Sequence, residues 1–98
     1  MRVVSHSTIV DYYEANASAK TALEDWYKLV RKSDWNCFAD IKATFNSVDA
    51  ISNQRFVFNI KGNSYRLVAI VLFIPKMVYI RFIGTHAEYD KIKDCSIL

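Results

Sequence analysis

The sequence predicts an α+β domain: N-terminal helices packed on one face of a twisted, mainly antiparallel β-sheet of three to four strands, with a short C-terminal helix. Three observations carry this. Apolar residues recur at helical spacing between residues 17 and 32, and at alternating spacing between residues 55 and 83. Between two of the alternating runs stands Gly62-Asn63, a tight-turn signal.

In chain order, MRVVS at residues 1–5 is β-prone and fits an edge strand. Thr8 followed three residues later by Asp11 fits a loose capping box, which places a short helix at about residues 8–16. A longer helix follows over about residues 17–32. Leu23, Trp26, Tyr27 and Val30 share one face of it, while Lys20, Glu24, Lys28 and Arg31 take the other. An aromatic stripe of this kind also suits a cofactor or partner groove, but packing on the sheet accounts for it. A third helix is expected over residues 37–45, with Phe38, Ile41 and Phe45 pointing one way, and residues 46–53 read as a polar connection.

The period then changes to two. With Lys61 opposite Ser64, Asn59 opposes Arg66 and Arg55 opposes Ile70. A second turn at Pro75-Lys76 pairs Ile74 with Met77, which sets Ile70 against Arg81 and Arg66 against Thr85. One face then carries Phe56, Phe58, Ile60, Tyr65, Leu67, Ala69, Val71, Phe73, Val78, Ile80 and Phe82. The other carries Arg55, Asn59, Lys61, Ser64, Arg66, Tyr79, Arg81 and Thr85, with Val57, Val68, Ile70 and Ile83 among them. The helices must cover the first face, which leaves the second open. Gly84 ends the last strand, and Thr85 with Glu88 three residues on forms a capping box for the final helix. The last stretch, KIKDCSIL, gives no clear signal.

Composition narrows the classes. At 98 residues the chain is expected to be one domain, residues 1–98. A hydrophobic fraction of 52% and an aromatic fraction of 14% exclude disorder. The net charge of +3 is mild, but its distribution is uneven. Residues 1–54 hold six bases against seven acids, and residues 55–98 hold seven bases against Glu88, Asp90 and Asp94. Cys37 and Cys95 are lone cysteines, which points to neither a zinc site nor a disulfide framework. The start is unlike a signal peptide and the apolar runs are too short to span a bilayer, so no membrane association and a cytoplasmic location are expected.

Arginines and lysines on a sheet face match an RNA backbone, since the guanidinium forks onto phosphate oxygens and the ammonium is a point charge. Tyr and His add planes for stacked bases. The same residues also fit plain solvation of a two-sided sheet, and the interleaved Val and Ile fit a protein interface. Metal-free RNA cleavage needs a group that moves protons near neutral pH and cations that neutralise the phosphorane. His86 fits the first task, Arg66 and Arg81 the second, and Tyr89 offers a proton or a stacking plane. His6 is read as structural. Glu88 and Asp90 lack a third ligand nearby, so no metal and no cofactor are expected.

These residues also carry a resemblance. RFVFNIKGNSYRLVAIVLF and VYIRFIGTHAEYDKI, with WYKLVRKSDW and ADIKATF upstream, resemble HigB-type toxins, the RelE-like mRNA interferases of type II toxin–antitoxin systems. The resemblance implies the small RelE-like fold, cleavage of mRNA in the ribosomal A site by 2′-OH attack without a metal, and neutralisation by a HigA-type helix-turn-helix antitoxin. On this sequence it implies Lys61 and Arg66 as basic sheet residues and His86 with Tyr89 as the catalytic end. The expected set is then catalytic His86, Arg66, Arg81 and Tyr89, with RNA-binding Arg55, Asn59, Lys61, Ser64, Tyr79, Thr85 and Lys91. Alternatives are a non-cleaving RNA- or protein-binding module, a ParE-like gyrase inhibitor on the same fold, and an inactive relative.

Overall fold

The computed structural model describes residues 1–94 and Leu98. The elements in chain order are β1 (Arg2–Val4), α1 (His6–Ala15), a 3₁₀ turn (Ala17–Ala19), α2 (Lys20–Lys32), α3 (Phe38–Thr44), β2 (Val48–Ala50), β3 (Arg55–Ile60), β4 (Tyr65–Leu72), β5 (Met77–Thr85) and α4 (His86–Asp90). They form one sheet in the order β1-β5-β4-β3-β2. β1 runs parallel to β5, and every other neighbouring pair is antiparallel. The fold class is the expected α+β, with five strands instead of three or four.

Two local differences have plain causes. The first helix begins at His6, so Thr8 lies inside its first turn and caps nothing. Ser5 stands alone between β1 and α1 with φ 75°, and this left-handed residue turns the chain at once. Residues 46–53 are not merely a connection, because Val48–Ala50 adds a strand at the sheet edge, paired to Phe56–Phe58. Three residues with one buried side chain, Val48, are too few to show a period.

The core lies between the helices and one sheet face. Leu23, Trp26 and Val30 of α2 are buried there with Ile9, Ile41, Phe56, Phe58, Ile60, Leu67, Ala69, Val71, Val78 and Ile80. Phe58 is its hub. Its ring meets those of Trp26 at 5.4 Å, Phe45 at 5.4 Å and Trp35 at 6.4 Å between centroids. His6 is structural, as expected: its ring stacks on Tyr27 at 3.9 Å and its Nε2 lies 3.1 Å from Glu24. Cys37 is exposed with a free thiol, and Cys95 lies outside the described residues.

The β3–β4 register is the expected one, with Asn59 against Arg66 and Arg55 against Ile70. The β4–β5 register is not. The connection is a four-residue loop at residues 73–76, so Leu72 pairs with Met77 and Ile70 with Tyr79. A β-bulge then follows, since Ala69 pairs with Ile80 but Val68 with Phe82, which leaves Arg81 as the extra residue. Beyond it Arg66 opposes Gly84, and Thr85 opposes Tyr65. The bulge also exchanges the faces of Phe82 and Ile83. Ile83 now packs on the core, and Phe82 shares the far face with Val68. Lys76 ties the loop down, because its ammonium reaches Asp34 at 2.8 Å, the Trp35 carbonyl at 2.8 Å and the Asn36 amide oxygen at 2.7 Å.

Candidate functional site

On the face away from α1 and α2, three rows run across β3, β4 and β5: Asn59–Arg66–Gly84, then Val57–Val68–Phe82, then Arg55–Ile70–Tyr79. The middle row is apolar, and Val57 and Val68 are 1% and 0% exposed. The continuous open basic face expected from the sequence is therefore divided. Four positions along one strand span about 13 Å, so Arg55 stands well apart from Asn59.

The Arg55 end is occupied by contacts within the chain. Arg55 donates to the carbonyls of Asn53 at 2.8 Å and Leu98 at 2.7 Å, and the Tyr79 hydroxyl lies 3.5 Å from the Met77 sulfur. Arg81, in the bulge, is exposed and makes no hydrogen bond or ion pair among the described residues. The structure does not bring these three residues to His86.

At the other end the parts converge. The turn at residues 61–64 closes with the Ser64 amide donating to the Lys61 carbonyl at 3.2 Å, and both Lys61 and Gly62 have positive φ. A Cβ on Gly62 would meet nothing within 4 Å, so glycine serves the backbone conformation there. The His86 amide donates to the Ser64 carbonyl at 3.4 Å, which lays the start of α4 against this turn. Between them is Arg66, its guanidinium carbon 5.9 Å from the centre of the Tyr89 ring. The Nη1 of Arg66 is buried and has no hydrogen-bond partner among the described residues. An unmet donor of this kind costs about 1–3 kcal/mol unless solvent or a ligand meets it, and Arg55 Nε, the Tyr12 hydroxyl and Trp26 Nε1 share that state. Gly84, opposite, leaves room for the Phe82 ring, since a Cβ there would stand 2.5 Å from Phe82 Cζ.

Asp90 completes the cluster. Its Oδ2 lies 2.9 Å from Nδ1 of His86, one helical turn away. This contact is an ion pair and not a hydrogen bond, so it sets a carboxylate against the ring without deciding which ring nitrogen carries the proton. Asp90 is not among the site residues expected from the sequence, although its i, i+4 spacing from His86 is the signal that finds it. Lys91 is exposed at this end, Lys61 lines a cavity on the helical side with Ser18, Thr21, Ala22 and Asp25, and Thr85 is committed to its own helix. The Thr85 hydroxyl accepts from the Glu88 amide at 3.2 Å, and the Glu88 carboxylate accepts from the Thr85 amide at 2.8 Å, the expected capping box.

These bonds from Thr85 hold the Glu88 carboxyl below its ordinary value of 4.5. A depressed folded value means that the unfolded chain binds the proton more tightly. The stabilisation is thus complete above about pH 4.5 and is lost as pH falls through the folded value. Glu88→Gln is expected to lower the melting temperature at pH 7, with the gap from the parent narrowing as pH falls below 4.5. Thermal unfolding across that range checks it. Beneath α4, the Ser18 and Tyr65 hydroxyls lie 2.5 Å apart and the Tyr12 ring meets Tyr65 edge-on at 5.9 Å. Burial first, then the charges of Glu88 and Tyr65, push the Tyr12 phenol up.

Among the described residues no three His, Cys, Asp or Glu side chains gather where they could hold a metal ion, and no helix is long and apolar enough to cross a membrane. The arrangement offers a cationic fork with an unmet donor, an imidazole paired with a carboxylate, and a phenol ring against the fork.

Comparison with known proteins places this cluster in context. Residues 19–92 match the family model described as HigB_toxin, the RelE-like toxic component of a toxin–antitoxin system. The chain is 33% identical to the mRNA interferase toxin HigB of Escherichia coli (strain K12) over 92 residues, covering 92% of this chain and 88% of that protein. It matches the mRNA interferase HigB of Shigella flexneri to the same extent, and that of Escherichia coli O6:H1 at 24% identity over 94 residues, 94% of this chain and 91% of that one. Its fold, with helices on one face of the sheet and a polar cluster at the end of the last strand, thus has its family: the chain belongs to the HigB toxins, the RelE-like toxic components of toxin–antitoxin systems.

Proposed function

We propose that this protein is an endoribonuclease toxin that cuts mRNA on translating ribosomes, in the A site, and that a HigA-type helix-turn-helix antitoxin neutralises it. The observation that carries the reading is the convergence of Arg66, Tyr89 and the His86–Asp90 pair at one end of the sheet, with Arg66 Nη1 unmet. The names of the relatives, mRNA interferases, support the reaction class.

In the proposed step the 2′-oxygen attacks the adjacent phosphorus. The new P–O2′ bond forms as the P–O5′ bond breaks, which leaves a 2′,3′-cyclic phosphate and a 5′-hydroxyl. One proton leaves the 2′-oxygen and one arrives at the 5′-oxygen. The His86 ring carries a proton transfer, and the Asp90 carboxylate beside it steadies the charged ring. Arg66 neutralises the phosphorane through its free donor. Tyr89 supplies a second proton donor or a stacking plane, and Lys61, Asn59, Ser64 and Lys91 line the approach of the RNA. The step as written draws only on these side chains.

Transcript 5′ ends mapped after induction test the reading. New ends within coding sequence are expected, spaced in register with codons if the ribosome presents the substrate. Growth arrest without new ends points instead to a non-cleaving binder or a gyrase inhibitor and refutes it.

A further inference from the structure

Beside the cluster is an open cavity of about 300 Å³, lined by Thr44, Phe45, Asn46, Ser47, Asn59 and Gly62. It lies where the end of α3, the start of β2 and the β3–β4 turn come together. Its volume is at the lower end of the range for small-ligand sites, about 300–1,000 Å³. Asn59 links it to the cluster, because Asn59 is the cross-strand partner of Arg66 and neighbouring strands stand about 4.8 Å apart.

The chemistry of the lining differs from that of the cluster. No side chain around the cavity is charged, so it suits a neutral group better than a phosphate. The Thr44 hydroxyl is already committed, accepting from Trp35 Nε1 at 3.1 Å and donating to the Asp40 carbonyl at 3.3 Å. Edge contacts with Phe58 at 5.4 Å and Trp35 at 6.1 Å hold the Phe45 ring in place as an apolar wall. The side chains of Asn46, Ser47 and Asn59 make no hydrogen bond among the described residues, which leaves two amides and a hydroxyl free to face a ligand. An amide presents a donor and an acceptor side by side, the pattern that matches the edge of a nucleobase.

We propose that this cavity is a nucleobase subsite: it holds the base of a nucleotide adjoining the scissile phosphate and reads it through Asn46 and Asn59. The proposal rests on the endonuclease reading above. With phosphates drawn to Arg66, the neutral cavity at Asn59 selects among bases, so the protein's sequence preference arises here.

The test maps cleavage sites after induction for the parent, for Asn46→Ala and for the cavity-filling Ser47→Trp, with melting temperatures to confirm folding. The parent is expected to favour one base at a position flanking the cut. In both variants the ratio of cutting at favoured over disfavoured bases at that position should fall about 5- to 100-fold, the discrimination that one bidentate amide–base contact supports. An unchanged ratio in folded variants that still cut would overturn the subsite and leave the endonuclease reading intact. A parent with no flanking preference would do the same, as would complete loss of cutting by folded Asn46→Ala, since that places Asn46 in the reaction itself. No new 5′ ends from the parent would overturn both readings.

Discussion

Arg66→Ala is expected to lower RNA cleavage by about 10²–10³-fold, the usual loss when one donor to a developing anion is removed, with the protein still folded. The guanidinium is half-buried against Tyr89 and its Nη1 meets nothing among the described residues, so it contributes more to a bound phosphate than to the fold. Arg66→Lys should recover little, because an ammonium lacks the planar fork and cannot lie on the Tyr89 ring in the same way. His86→Ala should cost about 10²-fold or more through loss of proton transfer. Asp90→Asn should cost less than His86→Ala, since it removes the charge beside the ring while leaving the ring in place. Cleavage rates from timed 5′-end mapping, together with relief of growth arrest on induction, check the series. Full toxicity in both folded Arg66→Ala and folded His86→Ala would remove this end of the sheet from consideration as the reaction centre.

Phe58→Ala should give the largest loss of stability. Phe58 is 1% exposed and its ring touches Trp26, Trp35 and Phe45, so truncation opens a cavity with rigid aromatic walls that collapse poorly. The expected loss is about 3–5 kcal/mol, a large part of the roughly 5–15 kcal/mol that holds a small domain together. Leu29→Ala on the exposed side of α2, where the side chain is 46% exposed, should change stability by no more than about 0.5 kcal/mol. Urea unfolding of the two variants against the parent measures the contrast, and similar midpoints for both would refute Phe58 as the hub.

The parts legible in the sequence are those that local chemistry pins. The stripe of α2 showed because an amphipathic helix repeats its signal over several turns. The β3–β4 register showed because Gly62 marks the turn and strands beyond a turn have little freedom. From that pairing came Asn59 beside Arg66, and from the capping box came His86 and Tyr89 at the sheet end. The β4–β5 register was hidden for a physical reason. Phe82 and Ile83 are both apolar, so the hydrophobic pattern of β5 is satisfied in either phase, and nothing in it betrays one extra residue at Arg81. An open face would group Arg55, Tyr79 and Arg81 with the cluster. Val57 and Val68 interrupt that face, and the sequence alone shows only that they alternate, not that they are covered. Asp90 is legible through its i, i+4 spacing from His86, whereas the cavity at Asn46 required three dimensions, because its walls come from separate segments.

The bulge at Arg81 has a consequence for how this protein tolerates change. A strand alternates with a half-period of one residue, so an unpaired residue acts as a phase inverter for everything downstream. With it in place, the chain leaves the sheet so that Gly84 faces Arg66 and α4 folds back over the turn at residues 61–64. Deleting one residue there would leave every pairing upstream intact, yet it would turn Gly84 inward and launch α4 from the opposite side. The cluster would come apart while the core kept its composition. Insertions and deletions in the last strand should therefore abolish activity far more readily than substitutions at the same positions, with residue count at this point mattering more than residue identity.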